Sequence, residues 1–559
     1  MASPFRRTLP ARADLAQQKT LAKELLRAFA GGDSEATARV RAALPDKARI
    51  VLADAQFVLA REYGFDDWGA LKRHIEERIA AARAPHEQVH DAMQRRDAAA
   101  LRRLLTQHAE FRPFINAPFF PFNAPALVAC AGDAAMVEVL LEVGADPNKR
   151  SEWWAGGFHP LHVATGVAAE RLLAAGAVAD ACAAAHLDKP ELLASLLAAD
   201  ASRVRERGGD GQTPLHFARS RRVIDLLFDA GADLDARDVD HRATAAEWML
   251  DRSRGAGRYD LAQYLVERGA SADIMLASAL GRTDDVVAML RRDPALLDEQ
   301  TGRGRYAEMP PSSYHIYFWT IGSSRSPMDV AAQFGHDDTL AAMLPFATPV
   351  QRLRFACRRG DAERARALLR DEPGLVASLA PNDHRAVTDA AWNGDAAAVA
   401  LMLELGFDPA MPGHDAGTAL HCAAWQGSVA SVAAILGYPA GRALLPSRDA
   451  HHGGTPLGWC CHGSLHGPAG GEHAEIARLL LAAGAAMEEG DASDEVEEVL
   501  MESMTAVRGR GAGRGAPCAC SGDAGHPSEA PPSRTSDAAR MTMWREEEWC
   551  GIAARGQAR

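Results

Sequence analysis

The chain has 559 residues, of which 47% are apolar and only 6% are aromatic. This length predicts several domains or one long repetitive array, and the shortage of aromatics argues against a single large aromatic core. The 61 Lys and Arg residues and 74 Asp and Glu residues give a formal charge of −13, which argues against sequence-independent binding of nucleic acid.

The lack of targeting signals and the cysteine spacing argue against further classes of protein: membrane-spanning, secreted and disulfide-rich. No run of about 18 apolar residues occurs, so we expect no membrane-spanning helix. The sequence up to Leu21 lacks the apolar segment of a secretory signal, and the nine cysteines have irregular spacings that do not form a disulfide framework. We therefore expect a cytoplasmic protein with reduced thiols, such as Cys130 and Cys422 at apolar helical positions.

The first predicted elements are helices near the N-terminus. Asp14–Phe29 and Lys47–Glu62 carry apolar side chains at helical spacing, and Asp67–Ile79 is a third predicted helix after a break at Gly64. We expect these helices to share a small core of Phe57, Tyr63, Phe65, Trp68, Leu71 and Ile75.

A tetrapeptide then recurs along the chain. It reads TPLH at 213–216 and HPLH at 159–162, with looser copies at 326–329, 418–421 and 455–458. An apolar helical segment ends in a Gly-Ala pair at Gly144, Gly176, Gly231, Gly269 and Gly484, with Gly406-Phe407 as a variant. These segments resemble the ankyrin repeat, a β-turn plus two antiparallel helices of about 33 residues.

Each residue of the motif has a mechanical role. The Thr213 hydroxyl can cap the first helix, and Pro214 at the first helical position has no amide hydrogen to leave unsatisfied. Leu215 points into the core, and the imidazole of His216 can bridge backbone groups of adjacent repeats. Gly231 can adopt the left-handed conformation that ends the second helix. We therefore interpret the motif histidines as structural.

A second repeat type alternates with the first and lacks the Gly-Ala turn. Its copies are Val89–Phe114, Ala183–Arg207, Met275–Glu299 and Leu353–Ser378. The tetrapeptide repeats at 159–178 and 213–233 lose several residues before their Leu-Leu pair, so we expect clipped or distorted helices there. The resemblance implies an all-α, ankyrin-repeat α-solenoid of about twelve irregular helix-pair repeats across residues 86–487.

The N-terminal residues 1–85 carry a second resemblance. Leu52–Ile75, LADAQFVLAREYGFDDWGALKRHI, is similar to the N-terminal helical segment of bacterial ankyrin-repeat proteins. This similarity implies a helical cap on the solenoid, because terminal repeats need a polar outer face. A separate binding module is the alternative.

Three insertions interrupt the repeats. SEWWAGGF at 151–158 carries Trp153 and Trp154, and residues 301–324 are rich in aromatics, including Tyr317 and Trp319. The third, residues 458–473, is predicted to lengthen the loop between the helices of the last repeat. Exposed Trp and Tyr side chains are typical of interaction hot spots. The alternative is that these aromatics pack beneath their own loops.

Residues 458–473 are also a candidate for metal binding or for nucleophilic catalysis. Cys460, Cys461, His462, His466 and His473 lie in this segment, and His451 and His452 precede it. Adjacent cysteines do not have the spacing of a structural zinc site, and nothing in the sequence orients a Cys–His dyad. The chain also lacks a nucleophile elbow, a P-loop and an HExxH motif.

The C-terminal residues change in character. Asp491–Ser503 predicts an acidic capping helix, within a segment that we delimit as 488–506. Residues 507–559 are rich in Gly, Ala, Pro, Ser and Arg and lack periodicity, so we expect a disordered tail.

The sequence thus favours a non-enzymatic scaffold that binds an unidentified protein through the concave face and finger loops of a solenoid. We expect no catalytic residue, no metal and no cofactor, and neither nucleic acid nor a membrane as partner. The candidate partner-binding residues are Trp153, Trp154, Tyr317, Trp319, Trp425 and Trp459. A metal-binding or enzymatic role of the Cys/His-rich segment 458–473 is the alternative, and the oligomeric state stays open.

Overall fold

The computed structural model describes residues 5–10, 15–82, 85–250, 258–487 and 491–511. Helices connected by short turns make up these ranges, and their only β-type pairings are isolated bridges such as Phe120 with Ala124 and Arg237 with Thr244. The predicted all-α fold class is therefore confirmed. In these ranges, no helix combines the length and apolar composition that a bilayer crossing requires.

The chain divides into two compact units. The described residues between Ala84 and Ala347 form one unit, and those between Met1 and Arg83 and between Thr348 and His526 form the other. The N-terminal helices thus belong to the same unit as the C-terminal repeats.

The helices follow in chain order. The N-terminal segment has α1 (Leu15–Ala30), α2 (Ser34–Ala43), α3 (Leu52–Glu62) and α4 (Trp68–Ala82). The unit between Ala84 and Ala347 has α5 (Pro85–Gln94), α6 (Ala98–Gln107), α7 (Ala126–Ala129), α8 (Ala134–Glu142), α9 (Gly166–Ala174), α10 (Ala181–His186), α11 (Pro190–Ala199), α12 (Pro214–Phe217), α13 (Arg221–Asp229), α14 (Ala245–Trp248), α15 (Tyr259–Glu267), α16 (Ile274–Ala279), α17 (Thr283–Arg292), α18 (Tyr317–Thr320), α19 (Pro327–Phe334) and α20 (Asp337–Met343). The C-terminal repeats have α21 (Pro349–Arg358), α22 (Ala362–Asp371), α23 (Pro381–Trp392), α24 (Ala396–Leu405), α25 (Ala419–Trp425), α26 (Val429–Leu436), α27 (Pro439–Arg442), α28 (Pro456–His466), α29 (His473–Ala482) and α30 (Asp494–Gly511).

Helix starts and ends follow from local sequence. The Asp133 carboxylate caps α8 by accepting from the amides of Ala135 and Met136 at 2.9 and 3.1 Å. After the second helices, Gly144 and Gly231 have φ values of +95° and +83°, in the left-handed region that ends a helix and favours glycine. The predicted role of the Gly-Ala pairs is confirmed.

The motif histidines join neighbouring repeats. His216 Nδ1 accepts the Thr213 amide at 3.1 Å, so its Nε2–H donates to the Ala243 carbonyl of the next repeat at 3.1 Å. His421 repeats the pattern with Thr418 and with the Gly454 carbonyl, at 3.2 and 3.1 Å. The expectation that this imidazole bridges adjacent repeats is confirmed.

The first helices of two tetrapeptide repeats are short, as the missing residues predict. The segment Pro160–His162 forms one 3₁₀ turn, and α12 has only four residues. Small apolar residues fill the contacts between these short helices and the neighbouring repeats. Ala164, Ala181 and Ala218 are fully buried. Alanine at these positions lets the short helices approach their neighbours closely.

The N-terminal segment has four helices where the sequence predicts three. The missed helix, α2, begins after Asp33, whose carboxylate accepts from the Ala36 amide at 2.8 Å. Leu71 and Ile75 are fully buried as predicted, with Tyr63, Phe65 and Trp68 packed against them. Phe57 is half-buried and lies outside this cluster.

The C-terminal helix α30 runs to Gly511, past the predicted boundary at residue 506. The remainder of the predicted disordered tail, residues 512–559, lies outside the described residues. Within its unit, α30 contacts the last repeat on one side and the N-terminal helices α1 and α3 on the other.

The buried imidazoles predict a stability that falls on acidification. Burial lowers the pKa of His216 to about 4 and that of His186 to about 3, from an ordinary value of 6.5. The unfolded chain takes up these protons as the pH falls below 6.5, whereas the folded chain does not. For His216 alone, we expect the free energy of unfolding to fall by up to roughly 3 kcal/mol between about pH 6.5 and pH 4.

Urea denaturation at a series of pH values measures this loss. The variant His216→Gln should lower stability at neutral pH and flatten the pH dependence, and His451→Gln, at a side chain that is 60% exposed, is the comparison variant. An equally steep slope in the His216 variant would contradict the assignment.

Candidate functional site

Successive loops of the unit between Ala84 and Ala347 join into one continuous surface. We call residues 117–124, 146–158, 206–213, 233–243 and 301–324 the finger band. The Glu152 amide donates to the Asn123 carbonyl at 2.9 Å, and the Val239 amide donates to the Asp210 carbonyl at 2.9 Å. The Ser313 amide donates to Asp240 Oδ1 at 2.8 Å. Three pairs of neighbouring loops are therefore joined by bonds that backbone amides donate, two to carbonyls and one to a side-chain carboxylate.

Glycine allows the closest approach within the finger band. A Cβ atom at Gly156 would overlap the carbonyl oxygen of Gly208, and one at Gly211 would overlap the side chain of Val239. Both glycines have positive φ values, +154° and +68°. Residues 206–213 can therefore lie directly against the loops on either side.

Several large apolar side chains of these loops are exposed. Phe119 is 60% exposed, Trp154 45%, Val239 42%, Met309 47% and Trp319 36%. They come from four of the five loops, and the remaining loop has Gly208-Gly209-Asp210-Gly211 at its tip. Large apolar side chains exposed together on a fixed surface are characteristic of interaction sites.

Trp153 supports the exposed Trp154. The Trp153 ring is half-buried, with its centroid 5.0 Å from Phe122 and 6.0 Å from Trp154. Phe122 in turn contacts Phe158 at 5.4 Å. This group of rings spans two loops and holds Trp154 outward.

The insertion 301–324 is anchored by a half-buried carboxylate, that of Asp273. Tyr306 and Tyr317 donate their hydroxyl hydrogens to the two oxygens of Asp273, at 2.8 and 2.9 Å. Asp273 also caps α16 by accepting the Leu276 amide at 2.8 Å. Burial, followed by the charge of Glu247, raises the pKa of Asp273, and burial raises the pKa of Tyr317 well above its ordinary value.

The aromatics of this insertion divide into a buried and an exposed set. Tyr317 has no exposed surface, so the expectation that it contacts a partner directly is not compatible with its position. Trp319 is exposed beside Phe318, at a centroid distance of 5.0 Å, and Phe318 stacks on Tyr314 at 4.3 Å. Packing beneath the loop therefore describes Tyr306 and Tyr317, whereas Trp319 remains accessible.

Trp425 and Trp459 belong to the C-terminal repeats. Trp459 is only 8% exposed, and its Nε1–H donates to Asp449 Oδ2 at 2.9 Å, which gives it a supporting role in its repeat. Its ring also lies edge-on to the joint residue His421 at 5.2 Å. Trp425 is half-buried, 5.5 Å from the ring of His462, and keeps some accessible surface.

The Cys/His-rich segment is mostly helix, not the long loop that the sequence predicts. Helix α28 runs to His466 and buries Cys460 and Cys461, while His462 and His466 are exposed. The Cys460 thiol donates to the His473 carbonyl at 3.2 Å, and burial raises the pKa of Cys460. A protonated thiol is a poor metal ligand and a poor nucleophile. Nothing in this arrangement supports the metal or enzymatic alternative.

In the described part of the chain, one group of side chains consists of residue types that can ligate a metal ion. His162, Asp180 and Cys182 each offer a ligand atom within 4.8 Å of the others. However, His162 Nδ1 accepts the His159 amide at 3.2 Å, which leaves the proton on Nε2, where it is donated to Asp180 at 3.0 Å. The Nε2 lone pair that a metal needs is therefore absent in the neutral ring.

Arg150 also contacts this group, whose role is structural. Its guanidinium pairs with the same Asp180 carboxylate. Burial opposes ionisation of Asp180, yet the bond from His162, the Ala183 amide and the charge of Arg150 together lower its pKa. In this repeat, the carboxylate takes the place of the carbonyl that accepts from His216 or His421 elsewhere.

The comparison with known families supports this description. A family model for the ankyrin repeat matches residues 210–239, which contain α12 and α13. No curated protein matches the chain significantly. The match covers one repeat, and the helix pairs of the described ranges are consistent with an all-α ankyrin-repeat fold.

The phenol–carboxylate anchor gives a direct prediction about stability. Tyr317→Phe keeps the ring but removes the donor to Asp273, leaving a half-buried carboxylate with one fewer hydrogen bond. We expect the free energy of unfolding to fall by about 1–3 kcal/mol.

Chemical denaturation measures this change, and hydrogen exchange of residues 301–324 locates it. Trp319→Ala is the matched control in the same insertion and should change stability by less than about 1 kcal/mol because its ring is accessible. Equal effects of the two substitutions would contradict the division into buried and exposed aromatics.

Proposed function

We propose that this protein is a non-enzymatic scaffold that binds a protein partner through the finger band. The observation that carries the proposal is the set of exposed apolar side chains on loops of which three neighbouring pairs are joined by hydrogen bonds. Such a surface loses little conformational entropy on binding, because its backbone is already ordered. The ankyrin-repeat fold supports a binding role but does not identify the partner.

The proposed anchors are Trp154 and Trp319. Tryptophan is the residue most enriched at binding hot spots, since it combines a large apolar area with few rotatable bonds. Trp153 supports Trp154 from below, and Tyr317 fixes the insertion that carries Trp319. Trp425 is a further candidate, on the C-terminal repeats.

Charge and cysteine chemistry refine this proposal. The formal charge of −13 favours a basic partner by accelerating encounter more than by adding affinity. The described cysteines, at positions 130, 182, 357, 422, 460 and 461, are buried and form no disulfide, which suits a reducing compartment such as the cytoplasm. Their burial also supports a role other than thiol catalysis.

Affinity capture with the full-length protein tests the finger band. We expect Trp154→Ala and Trp319→Ala each to weaken retention of the specific partner by about 30-fold, which corresponds to about 2 kcal/mol. Phe228→Ala is the matched control: Phe228 is 38% exposed but lies on helix α13, outside the finger loops.

Loss of binding in the control as well would indicate a general structural defect. Retention of the same proteins by wild type and by both tryptophan variants would refute the proposal. Circular dichroism should confirm that all three variants keep the helix content of the wild type.

A further inference from the structure

Helix α30 lies between two apolar clusters of its own unit. Val496, Val499 and Leu500 are buried in the core of the C-terminal repeats. Met501 instead belongs to the core of the N-terminal helices, together with residues such as Ala22 and Leu25. Among the side chains of α30 up to Ser503, three are buried against the repeats and Met501 is buried against the N-terminal helices.

Lysine side chains of the N-terminal helices form ion pairs with α30. Lys19 Nζ lies 2.6 Å from Asp494 Oδ1, and Lys72 Nζ lies 3.2 Å from Asp494 Oδ2. Lys23 Nζ lies 3.4 Å from Glu497 Oε2. The chain has only six lysines among 61 basic residues, and three of them converge on the first turn of α30. This concentration indicates a surface specialised for an acidic helix.

The geometry points to a reversible electrostatic clasp: we propose that the N-terminal helices form a lysine-lined docking surface for an acidic amphipathic helix, and that α30 is its occupant in this chain. Opening the clasp would leave α30 on the last repeat, held by Val496, Val499 and Leu500. The uncovered surface would present Lys19, Lys23 and Lys72 around the seat of Met501. An acidic helix of a partner protein with one apolar anchor has the chemistry to replace α30 there.

Because the charged groups are partly exposed, we expect ionic strength to determine whether the clasp is closed. The three lysine side chains are 20–36% exposed, and Asp494 is 35% exposed, so dissolved ions can reach these pairs. Pairs that solvent reaches are weakened by salt, whereas a fully buried apolar contact is not.

Protonation does not open the clasp near neutral pH. Burial disfavours the charge on Lys19, but the bond to Asp494 and the charges of Glu497, Asp494 and Asp491 outweigh it and raise its pKa. Burial also disfavours the charge on Asp494, while Lys19 and Lys72 together lower its pKa. Both groups thus stay charged across the neutral range, and this leaves salt or a competing helix to separate them.

Hydrogen exchange of the full-length protein, followed by mass spectrometry, tests the clasp. Between about 0.05 and 0.5 M NaCl, we expect exchange in α1 and α30 to accelerate about threefold or more, with α24 unchanged. A synthetic peptide of residues 491–511, added in excess at low salt, should accelerate exchange of α30 in the same way. Exchange that is insensitive to both salt and peptide would overturn the proposal.

Charge substitutions separate the clasp from general folding. Lys19→Glu with Lys23→Glu should accelerate exchange of α1 and α30 about tenfold at low salt. Lys47→Glu is the control, because Lys47 pairs with Asp54 inside the N-terminal segment.

A charge-reversal variant guards against misfolding. Adding Lys72→Glu, Asp494→Lys and Glu497→Lys to the lysine double variant restores opposite charges at all three lysine positions and should recover most of the protection. If the double variant behaves like Lys47→Glu, or if charge reversal fails to restore protection while α24 stays folded, the contact is not an electrostatic clasp. The finger band lies in the other unit, so failure here leaves the proposed function standing.

Discussion

The hydrogen bond from a buried imidazole to the next repeat is the interaction on which this architecture depends. A single helix pair has too little apolar surface to be stable alone, so each repeat relies on its neighbours. His216 and His421 use Nδ1 to accept an amide at their own helix start and Nε2–H to donate to the following repeat. Because these rings are buried, a missing partner would leave a desolvated polar atom in the joint.

Capping aspartates extend the same principle to the irregular repeats. Asp180 and Asp273 each cap a short first helix, α10 or α16, and each accepts additional donors from elsewhere in the chain. Asp180 receives the His162 imidazole, and Asp273 receives the hydroxyls of Tyr306 and Tyr317. One carboxylate thus stabilises a helix start and fixes a neighbouring segment, which lets an insertion become part of the solenoid.

The two surfaces proposed here to bind differ in their physical basis. The finger band consists of backbone-bonded loops with exposed aromatic and aliphatic side chains, and it suits a partner that buries apolar area. The N-terminal helices present lysines to an acidic helix, and that contact depends on charge. These surfaces lie in different units of the chain.

The sequence alone determined the repeat architecture, because the residues that specify it act locally. Capping Asp133 and the helix-ending glycines act within one turn of their position, and the TPLH motif at 213–216 combines a local bond, Thr213 amide to His216 Nδ1, with the bond from His216 Nε2–H to the next repeat. The sequence does not predict helix α2, because its apolar periodicity is weak. The capping residue Asp33 is nevertheless of a type that favours a helix start.

Only the tertiary structure decided which aromatics are accessible and where the N-terminal helices lie. Tyr317 is buried because Asp273, 44 residues earlier, accepts its hydroxyl, whereas Trp319 two positions later projects outward. Lys72 meets Asp494 across 422 residues of sequence. Burial and charge pairing depend on groups that are distant in sequence, and no local pattern encodes that distance.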